Sequence, residues 1–326
     1  MRRNQQNLNP LLMTRFPKTA AVTIFLAIAL NGVSGAQERG QKTFASADSA
    51  SYALVAAIEK NDEKSILEIL GPAGKTVVSS GDEAEDSESR ANFVKRYREM
   101  HRVVKEPDGT TILYIGAHNW PTPIPLMNKG DSWFFDTEAG KKEILYRRIG
   151  RNEMSTIRVC QELVAAEKDY HSSGHDEYAS KIFSDPGQRD GLYWKAGYGE
   201  PQSPIGPLVA SAVAQGYTKN SESAPTPYRG YYFHILTAQG KSAPGGRKAY
   251  VVGGKMTQGF AFVAYPAEYR SSGVMTFIVG ADGIVYEKDL GKKTETIAKA
   301  MKEYDPNSSW HQTEERNTEA ASEDTK

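Results

Sequence analysis

Two groups of side chains in this 326-residue chain have types and spacings that bear on chemistry. The first is His171 and His175, with Asp169 and Asp176 beside them. Two histidines four apart on one helix share a face and can hold a metal ion. Ser172-Ser173-Gly174 lies between them and ends a helix before the second histidine, so the cluster reads as a polar helix end where histidine complements the dipole. No metal site is assigned. The second group is His118, Trp120 and Asp136. A histidine–carboxylate pair in an apolar pocket can perform general acid–base work, because burial and a neighbouring carboxylate tune histidine near neutrality. His118 and Asp136 are therefore the catalytic candidates, on or beside expected strands. In the competing reading, Trp120 and its prolines form a rigid edge and Asp136 turns the chain into a helix.

The remaining reactive types have simpler readings. Cys160, the single cysteine, sits on an apolar helical stripe with Ile157 and Val164 and behaves as a small buried hydrophobe. His234 alternates with Tyr232 and Leu236 along a strand, a packed or surface position. Asp282-Gly283 is a hairpin turn. Gly245-Gly246 and Gly253-Gly254 bracket a strand without the spacing and following helix of a phosphate loop, so no cofactor is expected. A different hint comes from Tyr193, Trp194, Tyr198, Tyr228, Tyr231 and Tyr232, set among prolines and glycines or at strand starts. Aromatics placed this way either cover a core or present a protein- or glycan-binding surface. With Trp120, the residues Tyr193, Trp194, Tyr231 and Tyr232 are the binding candidates.

The elements that must position these residues follow from periodicity. Residues 47–70 read as two helices broken at Asn61-Asp62, with Asp62 an N-cap and Gly71-Pro72 a stop. The acidic stretch 81–90 reads as a solvated loop, and Phe93, Val94 and Tyr97 as a short helix. Strands are expected over 111–115, 124–127 and 132–135, the last two joined by the turn Asn128-Lys129-Gly130-Asp131. Thr137 caps a helix ending near Gly150, and a second helix runs from Asn152 to about Tyr170. Residues 171–228 are irregular, after which strands are expected over 230–238, 248–252, 260–265, 274–279 and 284–286. A last helix carries Ile297, Met301 and Tyr304. Residues 37–43 and 312–326 are polar ends, the latter a disordered tail. Helices and strands in this order form an α+β fold in two parts, 37–150 and 151–311, rather than a βαβ alternation.

The first 36 residues differ in kind from the rest: four basic residues and no acid, an apolar run over 19–30, then Val33-Ser34-Gly35-Ala36. That is a signal peptide pattern with cleavage after Ala36. The apolar run is too short to span a bilayer, so no stable membrane anchor is expected. The remaining 36 basic and 40 acidic residues give a net charge of −4, which argues against nucleic-acid binding. One cysteine allows no intrachain disulfide in the oxidising compartment. The expected destination is the periplasm or the exterior.

Long motifs carry a resemblance. Asn119-Trp120-Pro121-Thr122-Pro123-Ile124-Pro125-Leu126, Trp133-Phe134-Phe135-Asp136-Thr137-Glu138-Ala139-Gly140-Lys141, Arg147-Arg148-Ile149-Gly150-Arg151-Asn152-Glu153, Arg189-Asp190-Gly191-Leu192-Tyr193-Trp194, Leu236-Thr237-Ala238-Gln239-Gly240 and Val285-Tyr286-Glu287-Lys288-Asp289-Leu290-Gly291 resemble an uncharacterised exported bacterial family, a domain of unknown function. The resemblance covers nearly all the chain after residue 36 and carries over no active site. In layout, residues 44–150 are similar to the cone-shaped fold of the ketosteroid-isomerase and nuclear-transport-factor superfamily. Residues 152–291 are similar to the globular part of pilins, where a long helix leads into an antiparallel sheet. The pilin helix is strongly apolar, whereas this one carries Glu162, Glu167, Lys168 and Asp169. These readings imply a non-enzymatic envelope binding or assembly module with an envelope protein partner. The alternative is a periplasmic small-ligand binder or enzyme with a pocket in the first part.

Overall fold

A computed structural model of the chain describes residues 37–78, 83–197, 199–206, 210 and 227–313. Residues 1–36, read from sequence as a signal peptide, Tyr198 and the expected tail from 314 onward lie outside these residues. Helix α1 (Ala47–Glu59) begins at a capping box in which Ser46 and Ser49 satisfy each other's backbone. Asn61, in the left-handed region at φ 49°, reverses the chain. Asp62 then caps α2 (Glu63–Leu70) by accepting from Ser65 N at 3.1 Å. Gly71 and the 3-10 turn Pro72–Gly74 stop that helix and lead into α3 (Lys75–Val78).

Helix α4 (Glu83–Glu99) takes in the acidic stretch expected to be a loop. Tyr97 docks the far end of the helix in the core at 7% exposure. Strands β1 (His101–Lys105), β2 (Thr111–Ile115), β3 (Trp120–Pro121), β4 (Leu126–Lys129) and β5 (Ser132–Phe135) form an antiparallel sheet ordered β1-β2-β4-β5, with β3 on β2. The β4–β5 hairpin closes through the two residues Gly130-Asp131 between the pair Lys129–Ser132, with Gly130 at φ 63°. Leu113, Ile115, Leu126 and Phe135 from the sheet pack on Leu54, Ile66 and Ile69 from the helices to make the first core. The polar start at 37–43 is tied to the fold. Gln41 is buried and its Nε2 donates to Ile69 O (3.0 Å) and Phe135 O (2.8 Å), tying helix to sheet.

Helix α5 (Thr137–Ser172) is continuous for 36 residues, about 54 Å at 1.5 Å per residue. Neither the cap at Thr137 nor the break at Gly150 expected from the sequence is present. Asp136 is the cap, accepting from Ala139 N at 3.0 Å, while Thr137 Oγ1 donates to Leu70 O at 2.6 Å. An interior glycine costs only about 1 kcal/mol relative to alanine. Here buried Ile149 and the tertiary hydrogen bonds of Asn152 and Glu153 secure the backbone on either side.

The second sheet is antiparallel in the order β15-β13-β12-β11-β6, built from β6 (Tyr231–Leu236), β11 (Ala261–Pro266), β12 (Met275–Gly280), β13 (Val285–Asp289) and β15 (His311–Gln312). Gln312, assigned from sequence to the tail, pairs with Tyr286. The expected strand 248–252 divides at buried Tyr250 into β8 (Lys248–Ala249) and β9 (Val251–Val252). Tyr250 N donates to Thr237 O on one side, and Tyr250 O accepts from Thr257 and Gln258 N on the other, so the chain changes partners there. Strand β8 pairs with β7 (Ala238–Gln239), and β9 with β10 (Lys255–Met256). Helix α6 (Thr294–Ala300) is shorter than expected: Tyr304 lies in β14 (Glu303–Tyr304), parallel to β7, and Ile297 is 41% exposed. The α5-facing side of the second sheet, with Phe233, Phe262 and Phe277, meets Val159, Cys160 and Leu163 in the second core. Among the described residues no helix is long and apolar enough to cross a membrane.

Candidate functional site

The most organised irregular segment begins where α5 ends. Ser173 caps the helix and Gly174, at φ 98°, turns the chain back. His175 stacks on Tyr170 at 3.9 Å, its Nδ1 2.8 Å from Tyr170 O, while His171 stacks on Tyr178 at 4.7 Å. The two histidines thus face different tyrosines, and no group of three or more metal-ligating side chains occurs among the described residues. Tyr178 N donates to Met256 O and its ring tilts against Phe260. The next amide, Ala179 N, donates at 2.9 Å to Oε2 of Glu167, on the buried face of α5.

From there the chain builds a loop with its own framework. Tyr193 N donates to Ile182 O (2.7 Å) and Ser184 N to Tyr193 O (2.8 Å), so Phe183 and Tyr193 lie side by side with rings edge to face at 5.5 Å. Lys181 Nζ bridges Asp185 (2.8 Å) and Asp190 (2.6 Å), and Asp190 also accepts from Asp185 N. Partial desolvation opposes the charge on each group. The hydrogen-bonded partners outweigh it, holding Asp190 below and Lys181 above their ordinary values. Gly191 lies where a Cβ would come within 2.9 Å of the Ile182–Ser184 backbone, and Leu192 beside it is fully buried. Trp194 Nε1 donates to Pro201 O at 3.0 Å, and the Arg189 guanidinium lies 5.8 Å from its ring centre. The loop is anchored by Ile182, Leu192 and Ile205 in the core and leaves Phe183 36% exposed, with Tyr193 and Trp194 half-buried beside it.

The other binding candidates separate. Tyr231 is fully buried, its hydroxyl donating to Met275 O at 2.9 Å; it is a core residue and offers no surface. Tyr232, the next residue, is half-buried on the opposite sheet face against Tyr265. Trp120 is 40% exposed, with the Arg147 guanidinium 5.5 Å from its ring centre and Arg147 also donating to Pro121 O (2.7 Å) and Glu143 (2.8 Å). His118 is exposed in the turn between β2 and β3, and Asp136 is the α5 cap. The side of the first sheet turned to the helices is filled by Leu113, Ile115, Leu126 and Phe135. Two open surface hollows lie elsewhere, beside Leu67 and Gly71 and beside Ile58 and Arg98. Cys160 is fully buried and burial pushes its thiol pKa up. His234 is buried, with Nε2 3.1 Å from Met301 O, and desolvation lowers its pKa.

Three features went unread in the sequence. Phe183 and Arg189 complete the aromatic loop. Glu153 Oε1 accepts from both Val274 N (2.9 Å) and Met275 N (3.0 Å), while Asn152 Nδ2 donates to Ser272 O (2.8 Å), clamping the start of β12 to α5. Glu167, counted among the residues that make the helix polar, has no exposed surface. The signal was available: positions 160, 163, 164 and 167 form one helical stripe, three apolar residues and one acid. Burial pushes the Glu167 pKa up to about 8, against the opposing effect of the Ala179 N–H.

A family model described as a protein of unknown function (DUF2950) matches residues 41–313. No curated protein and no solved structure matches the chain.

Proposed function

The chain belongs to the DUF2950 family, and from that premise we propose that it is an exported, non-enzymatic binding module that engages an envelope protein through the aromatic loop at 178–206. The observation that carries this reading is the pairing of half-exposed aromatics with a stiff framework. Phe183, Tyr193, Trp194 and Arg189 are held by the Lys181 ion-pair hub and three core anchors. Tyr, Trp and Arg are the types that dominate protein-binding energy, and a pre-ordered loop loses little entropy when it docks. The signal-type pattern of residues 1–36 supports work outside the cytoplasm.

The test is in-cell crosslinking of the tagged full chain with identification of what is captured. The expected result is a reproducible envelope protein that is lost with Trp194→Ala and kept with Tyr52→Ala, whose ring is 70% exposed on α1. Equal capture by both variants, or none by well-expressed wild type, overturns the reading.

A further inference from the structure

The junction between α5 and the aromatic loop is closed by a single carboxyl. Glu167 is 0% exposed, its Oε2 accepts one hydrogen bond, from Ala179 N at 2.9 Å, and its Oε1 has no hydrogen-bond partner. An ionised carboxylate in that setting is stripped of water and given one neutral donor in exchange. A protonated carboxyl loses far less on burial and still accepts from Ala179 N. Among the described residues no cation pairs with it; burial pushes its pKa up and the Ala179 amide opposes that. The titratable groups around it are Tyr170 one turn on, a phenol on which burial, Glu177, Asp190, Glu167 itself and Lys181 act, and the stacked His171, His175 and Tyr178. Lys181 is held by Asp185 and Asp190 and Glu177 by Lys255, so each nearby charge is already engaged.

We propose that Glu167 is a pH-operated latch: protonated, it holds the 175–183 segment against the last turns of α5, and its ionisation releases that segment together with the aromatic loop it carries. The mechanical case rests on position. Ala179 is the second residue of a short span that runs from Tyr178, paired to Met256, to Ile182, paired to Tyr193. Release of Ala179 therefore loosens the base from which Phe183 and Tyr193 project. The direction follows from linkage. The closed form keeps its proton up to about pH 8 and the open form loses it near the ordinary value of 4.5. Opening is therefore least favourable below about pH 4.5, grows about tenfold per pH unit above that, and levels off above about pH 8.

The role of the released loop rests on the binding reading above; the latch itself does not, and the two fail separately. Hydrogen exchange of the full chain, corrected for the base dependence of intrinsic exchange, is followed between pH 5.5 and 8.5. Peptides covering 176–195 are expected to exchange through a smaller opening than β12 peptides, with lower protection at every pH, and to lose about a hundredfold of it between pH 5.5 and 7.5. Glu167→Gln, which keeps an acceptor for Ala179 N and has no proton to lose, is expected to be flat. Constant protection in the wild type, protection of 176–195 equal to that of β12 throughout, or an unchanged slope in Glu167→Gln overturns the latch. Should the variant fold poorly, the Glu167 side-chain carbonyl carbon shift in the wild type gives the same answer: a midpoint near pH 8 supports it and one near pH 4–5 overturns it. Loss of partner capture in Trp194→Ala reads the binding surface alone and leaves these outcomes untouched.

Discussion

The Tyr231 hydroxyl group occupies the space that a Cβ on residue 273 would need, so Gly273 and Tyr231 form a matched pair at the start of β12. The same phenol donates to Met275 O, and Gly230 on its other side approaches Asn152 Nδ2 and Ser272 Cβ within 2.9 Å of a built Cβ. Gly273→Ala is expected to destabilise the fold by about 2–4 kcal/mol, since a fully packed core must shift to admit one methyl group. Tyr231→Phe, which leaves Met275 O without its partner, is expected to cost about 1 kcal/mol. Thermal and urea melts of the two variants check the order.

Glu153 offers one oxygen to two consecutive amides, Val274 N and Met275 N. Glu153→Ala leaves both donors without that partner and is expected to lose about 2–3 kcal/mol in urea unfolding. Glu153→Gln keeps an acceptor and is expected to lose less than half of that.

The stability of the whole fold carries the sign of Glu167. Its folded value of about 8 lies above the ordinary 4.5, so the folded state holds the proton longer than the unfolded chain does. Its contribution is best below about pH 4.5, worsens as pH rises, and is fully unfavourable above about pH 8. Glu167→Gln is therefore expected to be more stable than wild type at pH 7 by on the order of 2–3 kcal/mol, with the difference vanishing toward pH 4.5. Urea titrations at several pH values measure it, and an opposite trend would sink the assignment.

Lys181 joins Asp185 and Asp190 at a partly exposed site. Screening makes such pairs weak, so Lys181→Ala is expected to change global stability by less than about 1 kcal/mol. Its effect should be local: faster proteolytic cleavage between residues 183 and 195, reproduced in the wild type by raising salt.

Much of the element order was legible because local chemistry decides it. Asp62 caps α2 through its own carboxylate, and Gly130 supplies the left-handed residue that the β4–β5 turn requires. The stripe of Ile157, Cys160 and Val164 marks which side of α5 meets the sheet. In the candidate site, Tyr193 and Trp194 stood out as aromatics in an irregular segment. Phe183 and Arg189 did not, because they come beside them only through the Ile182–Tyr193 pairing and a ring contact across the loop.

What the sequence determined by itself is the set of local commitments: the family motifs, the α+β order, the Asp62 cap, the Gly130 turn, and the strand alternation that sends Tyr231 and Tyr232 to opposite faces. Each depends on a residue's own conformational preference or on neighbours within a turn. Tertiary structure decided the rest. It carried α5 through Gly150, made Tyr231 core and left Tyr232 half-exposed, turned Tyr304 from helix to strand, and buried Glu167 with one hydrogen bond. The physical reason is common to all four. Local preferences differ by about 1 kcal/mol or less, whereas packing against a distant element is worth several, so the partner far along the chain prevails.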